Sequence, residues 1–464
     1  MLDYDVMQRG DLTLYEFVYR SIRDDIVSGT LDPGDRLPSK RAFAQRLGVS
    51  LVTVENAYGQ LVAEGYCTAR PRSGYYVNAL PGKVSVSRHR HVAHERQAET
   101  RVLYDFSKPT ADVAMVSRVW GKAMRGTLAS EPDEELYGPQ PAKGTHRLRQ
   151  AISERLRQAR GIDADPECIV VGAGAQILDV ALAQLLRPSG AIALEDPGYP
   201  RLQRIYSSLG LAVCPVALDD EGIDMAQLRS SRARIAHVMP SHQFPTGIVT
   251  SIARRYELLG WASEHEDAYL IEDDYDATFR MSGRPIASLA SIDVEGRVIY
   301  TNTFSKSLGP AIRAAFMVLP EALADRWDAA AGFYSNTVSA VDQVALARML
   351  ESGDYERHVN RYRKAQREVR DALIDELRQQ GVGARMHVEQ EDSGLHFVFV
   401  VEDADESELA ERALAGGVRL APLSTYSLSG GGQTQTGEAR FAMQYGGIDV
   451  AGAREAARII AQLL

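Results

Sequence analysis

Residues 303–313 read Thr-Phe-Ser-Lys-Ser-Leu-Gly-Pro-Ala-Ile-Arg, which sets Lys306 between two serines and Arg313 seven residues on. A lysine alone is usually a solvated surface residue. Four features upstream change the reading of this one. VVGAGAQ (170–176) is a strand running into a Gly-rich turn and a helix, and free N–H groups at a helix start bind anions. EDPGYP (195–200) presents Tyr199 on a loop after a strand, and SHQFPTG (241–247) is a turn. IEDDYD (271–276) is a strand that ends in acids.

One chemistry needs a lysine, a strand-end carboxylate and a phosphate cradle together, and that is the chemistry of pyridoxal 5′-phosphate (PLP). An amine bonds its aldehyde as a Schiff base, a carboxylate pairs with its ring nitrogen, and donors hold its phosphate. A lysine that attacks a carbonyl must be neutral, and burial together with the nearby Arg313 is expected to lower its pKa.

Around these motifs, strand-like runs such as CIVVGAG, AIALED, RIAHVMP, AYLIEDD and RVIYTNT alternate with helical stretches. Such alternation predicts an α/β fold with a mostly parallel sheet covered by helices. Residues 341–380 read as charged helix. GLHFVFV and EARFAMQYGG predict strands of a smaller α+β lobe, and SGGGQTQTG a loop.

The chain has 464 residues, which at roughly 150 per domain suggests about three folding units. It is 45% hydrophobic and 25% charged, so it can bury large cores. No apolar run reaches the ~18 residues of a membrane span. The start, MLDYDVMQRGDL, resembles neither a signal nor a transit peptide. Cys67, Cys168 and Cys214 are too few and too scattered for a disulfide framework or a zinc cluster. A cytoplasmic protein that contacts no membrane is expected. The net charge of −10 excludes a uniformly basic coat but leaves room for a local basic surface.

Composition changes near residue 80. Residues 80–104 lack an apolar period and are rich in Arg and His, which predicts a basic linker between domains at 1–79 and 105–464. In the first domain Leu14, Val18, Ile22 and Ile26 fall four apart on one helix face. Ser39 can cap a second helix ended by Gly48, and Ser50 a third ended by Gly65. In the third helix Val54, Ala57, Tyr58 and Leu61 face inward. YCTARPRSGYYV then reads as a two-stranded wing with Arg70, Arg72 and Gly74 near its tip. Lys40, Arg41, Arg70 and Arg72 could meet DNA phosphates, and Ser50, Thr53 and Asn56 could reach bases.

The stretches at 31–41, 47–54, 61–66 and 73–77 resemble the GntR-type winged helix-turn-helix. That resemblance implies DNA contacts by Arg41, Thr53 and Gly74. The chain departs from it at Leu51-Val52, where Arg-Asn or Arg-Thr is common, and at Glu55, where a base is common.

Residues 105–464 resemble fold type I aminotransferases. HQFPTG, EDDYD and TFSKSLGPAIR, with YGPQPAKGTHRLRQAI (137–152), HVNRYRKAQREV (358–369) and GLHF (394–397), resemble the MocR/GabR subfamily of bacterial regulators. Its members join a GntR-type reader to an aminotransferase-like domain.

The resemblance implies that Lys306 forms the Schiff base, Asp273 holds the pyridinium proton, Tyr275 meets the 3′-oxygen and Tyr199 stacks on the ring. Ala175, Gln176, Thr303, Ser305 and Arg313 would surround the phosphate, and Tyr137 would reach the phosphate of a neighbouring subunit. Arg440 would bind an effector carboxylate. Phe244 stands where working aminotransferases have Asn, with His242 and Gln243 before it.

The implied function is a homodimeric, PLP-dependent transcriptional regulator that binds a double-stranded operator and senses an amino compound or PLP itself. Physiological turnover is not expected of it, although a residual half-transamination is compatible with these residues. The alternative is a true aminotransferase with an accessory DNA-binding domain.

Overall fold

The computed structural model describes residues 4–464 except 11, 81–101, 109–110, 188–189, 280, 282–285, 381–384, 393 and 431–436. The middle of the expected linker and most of the SGGGQTQTG loop therefore lie outside the described residues. The chain divides into two compact units, Met1–Ala98 and Glu99–Leu464.

In the first unit, helices α1 (Leu14–Ser28), α2 (Lys40–Leu47) and α3 (Leu51–Ala63) precede an antiparallel hairpin of β1 (Cys67–Arg70) and β2 (Gly74–Val77). Local chemistry sets each boundary. The Ser39 and Ser50 hydroxyls accept from the amides of Ala42 and Thr53, capping α2 and α3. Gly48 ends α2 in the left-handed region at φ 66°. Val18, Ile22, Phe43, Val54, Ala57, Tyr58 and Leu61 are each 0% exposed and form one core, so the inward face expected of α3 is the observed one.

The second unit is built on strands β3 (Tyr104–Asp105), β4 (Ile169–Gly172), β5 (Ala191–Asp196), β6 (Ala212–Asp219), β7 (Gly222–Ile223), β8 (Ala233–Val238), β9 (Tyr269–Asp273), β10 (Val298–Thr303), β11 (Ala315–Val318), β12 (Met386–Glu389), β13 (His396–Glu402), β14 (Val418–Arg419) and β15 (Glu438–Gln444). Eight of them form one sheet in the order β4-β11-β10-β9-β8-β5-β6-β7. Pairs among β10, β9, β8, β5 and β6 are parallel, while β11 runs antiparallel to both its neighbours and β7 runs antiparallel to β6. Their near-continuous apolar runs suit strands covered on both faces.

The smaller lobe has an antiparallel sheet, β12-β13-β15. Phe397, Phe399, Phe441 and Met443 pack there with Leu373 of the long helix Asp354–Gln379 and Ile460 of the helix Val450–Ala461. The charged region at 341–380 is two helices, because Ser352 and Gly353 interrupt it and Gly353 is left-handed. Among the described residues, no helix is long and apolar enough to cross a membrane.

Candidate functional site

The parallel strands place their carboxyl ends side by side, which is where open α/β sheets bind ligands. Strand β9 ends at Asp273, β10 ends at Thr303 just before Lys306, and β5 ends at Asp196 just before Tyr199. The Lys306 ammonium nitrogen sits 5.0 Å from the centre of the Tyr275 ring. Burial holds Lys306 below the ordinary lysine range, against the charges of Asp276 and Asp273, which pull upward. Arg313 was expected to help lower it. Arg313 is exposed and is not among the groups that set this shift, so burial acts alone.

Asp273 has a partner the sequence reading missed. His237 on β8 places Nε2 3.7 Å from its carboxylate, while Tyr206 holds the other ring nitrogen at 2.8 Å. Burial lowers the His237 pKa, but the nearby Asp273 carboxylate and the charges of Asp179 and Glu195 outweigh it, and the net direction is up. The Tyr275 hydroxyl is buried beside Asp276 and makes no hydrogen bond of ordinary geometry among the described residues.

Gly174 precedes the helix Ala175–Leu186 at φ 94°, and a side chain there would collide with the Arg313 guanidinium. Arg313 also reaches the Ala173 carbonyl at 3.4 Å. Gln176 lies on the first turn of that helix, close enough to Tyr199 to act on its hydroxyl. The Thr303 hydroxyl accepts from the Ser305 amide at 3.1 Å, and the Ser305 hydroxyl donates to the Ile312 carbonyl at 3.2 Å. Gly174, the helix start and the Arg313 guanidinium thus lie together, and Ser305 is tied to the residue just before Arg313. Gly174→Ala is expected to weaken PLP binding by about tenfold or more, because it removes the left-handed turn and displaces Arg313; a PLP titration followed by absorbance checks it.

Phe244 has no polar side-chain atom and so offers no donor at this turn. Its ring makes edge contacts with Tyr199, His396 and Tyr426 at centroid distances of 6.2, 5.3 and 5.0 Å. The preceding His242 is buried and bonded to Asp276 at 2.8 Å. His396 is buried beside this pair, and burial brings its pKa down to about 4. Gln243 donates to Pro197 and Phe244 carbonyls and to Glu195, tying the turn to the end of β5.

Burial raises Glu195 to about 7. A buried acid with a raised pKa holds its proton only in the folded state, so the benefit is present at low pH and is lost between about 4.5 and about 7. Glu195→Gln should therefore melt at increasingly higher temperature than the parent as pH rises from 5 to 8, a gap on the order of 3 kcal/mol. Equal melting shifts at both ends would contradict this.

Two expected residues stand apart. Tyr137 ends the short helix Asp133–Tyr137 and is 70% exposed, outside the cluster around Lys306. Arg440 on β15 is already paired with the carboxylates of Glu389 and Glu438.

In the first unit, Arg41, Arg70 and Arg72 are exposed, as are Asn56 on α3 and Ser50 at its cap. Thr53 is half-buried, and its hydroxyl lies 2.8 Å from that of Ser50. Lys40 is held by Glu55 at 2.6 Å, so its charge is partly spent inside the protein. Gly74 lies at φ 121° with the Arg36 side chain over it. Arg70 stacks over Tyr76 at 4.4 Å.

Residues 14–77 match the family described as bacterial regulatory proteins, gntR family, and residues 105–458 match aminotransferase class I and II. The chain is 37% identical over 418 residues to the uncharacterized HTH-type transcriptional regulator YdeL of Bacillus subtilis (strain 168), covering 89% of this chain and 90% of the relative. It is 32% identical over 433 residues to the probable rhizopine catabolism regulatory protein MocR of Rhizobium meliloti, covering 89% and 87%. Among solved structures, an archaeal alanine:glyoxylate aminotransferase superposes with a TM-score of 0.69 at 21% identity, over 79% of this chain and 91% of that one.

Proposed function

The chain belongs to the MocR/GabR subfamily of GntR-type regulators, DNA-binding transcriptional regulators with an aminotransferase-like domain, and from that premise we propose that Lys306 holds PLP and that the same site senses an amino compound. The observation that carries the proposal is the Lys306 amine, desolvated and 5.0 Å over the Tyr275 ring between two carboxylates. PLP, when bound, supplies an electrophilic carbon that an amine attacks.

The protein's residues then have distinct tasks. Desolvation favours the neutral, nucleophilic form of Lys306. Asp273, backed by His237, would hold a proton on the pyridine nitrogen of the cofactor. The orphaned Tyr275 hydroxyl is free to donate to a phenolic oxygen. Tyr199 offers a ring face, and the turn around Gly174 with Ser305 and Arg313 offers donors to a phosphate. Asp276, whose charge acts on Lys306, would balance the ammonium form of that lysine.

Regulation, rather than turnover, is favoured by Phe244, which removes the amide donor that working aminotransferases present. The effector changes DNA binding only if it binds two conformations with different affinity. Tyr137, exposed and aromatic, suits a homodimer in which it completes the neighbour's phosphate site, and two copies suit two DNA half-sites.

The test is DNA retardation by the full chain with PLP present, against a panel of amino compounds. A compound that shifts both the absorbance and the retardation is the expected result. Retardation that responds to PLP alone and to no amine would favour sensing of PLP itself. Repeated turnover with a keto acid would favour the enzyme.

A further inference from the structure

Residues 50–65, the cap and body of α3 with the glycine that ends it, contain no lysine or arginine. This is unusual for a helix that enters the field of DNA phosphates. Its two acids are both engaged within the unit: Glu55 by Lys40 at 2.6 Å, and Glu64 by Tyr19 and Gln60. The opposite side of the helix is the core of the unit. Val52, Glu55, Asn56 and Gly59, spaced i, i+3, i+4 and i+7, are all exposed and share the outer face. Val52 is 60% exposed and its neighbour Leu51 is 37% exposed.

Gly59 adds an independent observation. A glycine inside a helix costs about 1 kcal/mol relative to alanine. Here a Cβ would meet nothing within 4 Å, and φ is not positive. Among the described residues of the unit nothing excludes a side chain at this position, so glycine here leaves the outer face unfilled.

A bare aliphatic side chain in the major groove has one specific target, the 5-methyl group of thymine, while asparagine pairs with the N6 and N7 edge of adenine. Guanine is read most often by arginine, and α3 has none. We propose that the outer face of α3 reads A·T pairs at the centre of each half-site. Val52 packs on a thymine methyl, Asn56 pairs with adenine, and Gly59 lets the groove edge come close. Guanine reading and phosphate contacts then fall to residues outside this helix, such as Arg41 and Arg72.

The test uses the full-length protein with PLP. A random duplex library is enriched by rounds of binding, and each thymine of the enriched site is replaced singly by deoxyuridine, which removes only the methyl. At one position per half-site, affinity should fall about fourfold, the value of one buried methyl. Val52→Ala should lose that sensitivity at the same position and Val52→Ile should keep it. Gly59→Ala should raise the melting temperature yet weaken binding to the enriched site. Uridine replacement without effect at every position would overturn the proposal, as would full sensitivity in Val52→Ala. So would an enriched site whose central preference is a cytosine abolished by Glu55→Gln, with Val52→Ala silent. Val52 and Gly59 are both exposed, so loss of folding does not confound these variants.

Discussion

Lys306→Ala is expected to purify as a folded protein without the absorbance band near ~420 nm that a lysine-bound PLP gives. The parent, supplied with PLP, should show that band. The substitution removes a nucleophile that no nearby side chain replaces: Tyr275 and Asp273 stand close, yet neither carries an amine. Noncovalent affinity should survive in part, because the turn at Gly174 with Ser305 and Arg313 is untouched. The variant should therefore bind PLP reversibly with an unbound-aldehyde spectrum, and amino compounds should no longer alter DNA retardation. A band near ~420 nm retained in Lys306→Ala would mean another amine holds the cofactor. No band in either protein would leave an aminotransferase fold serving as scaffold alone.

The second large effect lies in the other unit. Arg41→Ala with Arg72→Ala is expected to weaken operator binding at least a hundredfold at moderate salt. Each lost phosphate contact should flatten the slope of log affinity against log salt by about one. Two facts make the effect large. Both arginines are exposed on elements flanking the helix that enters the groove, and that helix has no cation to compensate. Lys40 is already engaged by Glu55. Circular dichroism should be unchanged, since neither side chain enters the core around Phe43 and Tyr58. A salt slope equal to the parent's would mean these residues do not meet phosphate.

Much of this was legible in the sequence, for identifiable reasons. The winged unit could be read because its helices carry local signals: Ser39 and Ser50 as caps, Gly48 as a stop, and an apolar stripe at helical spacing. Strands β5, β8 and β9 could be read because a buried parallel strand is apolar almost throughout. Asp273, Tyr199 and Lys306 were visible because they sit at a strand end, in the loop after one, and on the one-turn helix Ser305–Leu308 that follows β10. His237 was not. It lies inside the apolar run RIAHVMP, and nothing in one strand says that its neighbour's end carries a carboxylate. The His242–Asp276 pair was hidden for the same reason, its partners being 34 residues apart. Arg440 was singled out by the family resemblance, but Glu389 comes from a strand that pairs with β13, not with β15. The pairing of Arg440 with Glu389 is fixed by sheet order, which a linear pattern does not contain. The antiparallel direction of β11 was likewise unreadable, because strand composition carries little information about direction.

The proposed separation of charge from base reading in the winged unit would have a kinetic consequence. Non-specific affinity for DNA is almost entirely electrostatic, and the helix that enters the groove contributes no cation to it. The arginines at its flanks can therefore hold the protein on the sugar–phosphate backbone while α3 stands clear of the bases. Travel along the duplex and inspection of the sequence become separate acts. A protein built this way scans quickly, engages in a second step, and leaves a mismatched site almost as easily as it arrived. Its residence time on a true operator is then set by a few methyl and amide contacts, and its search time by salt.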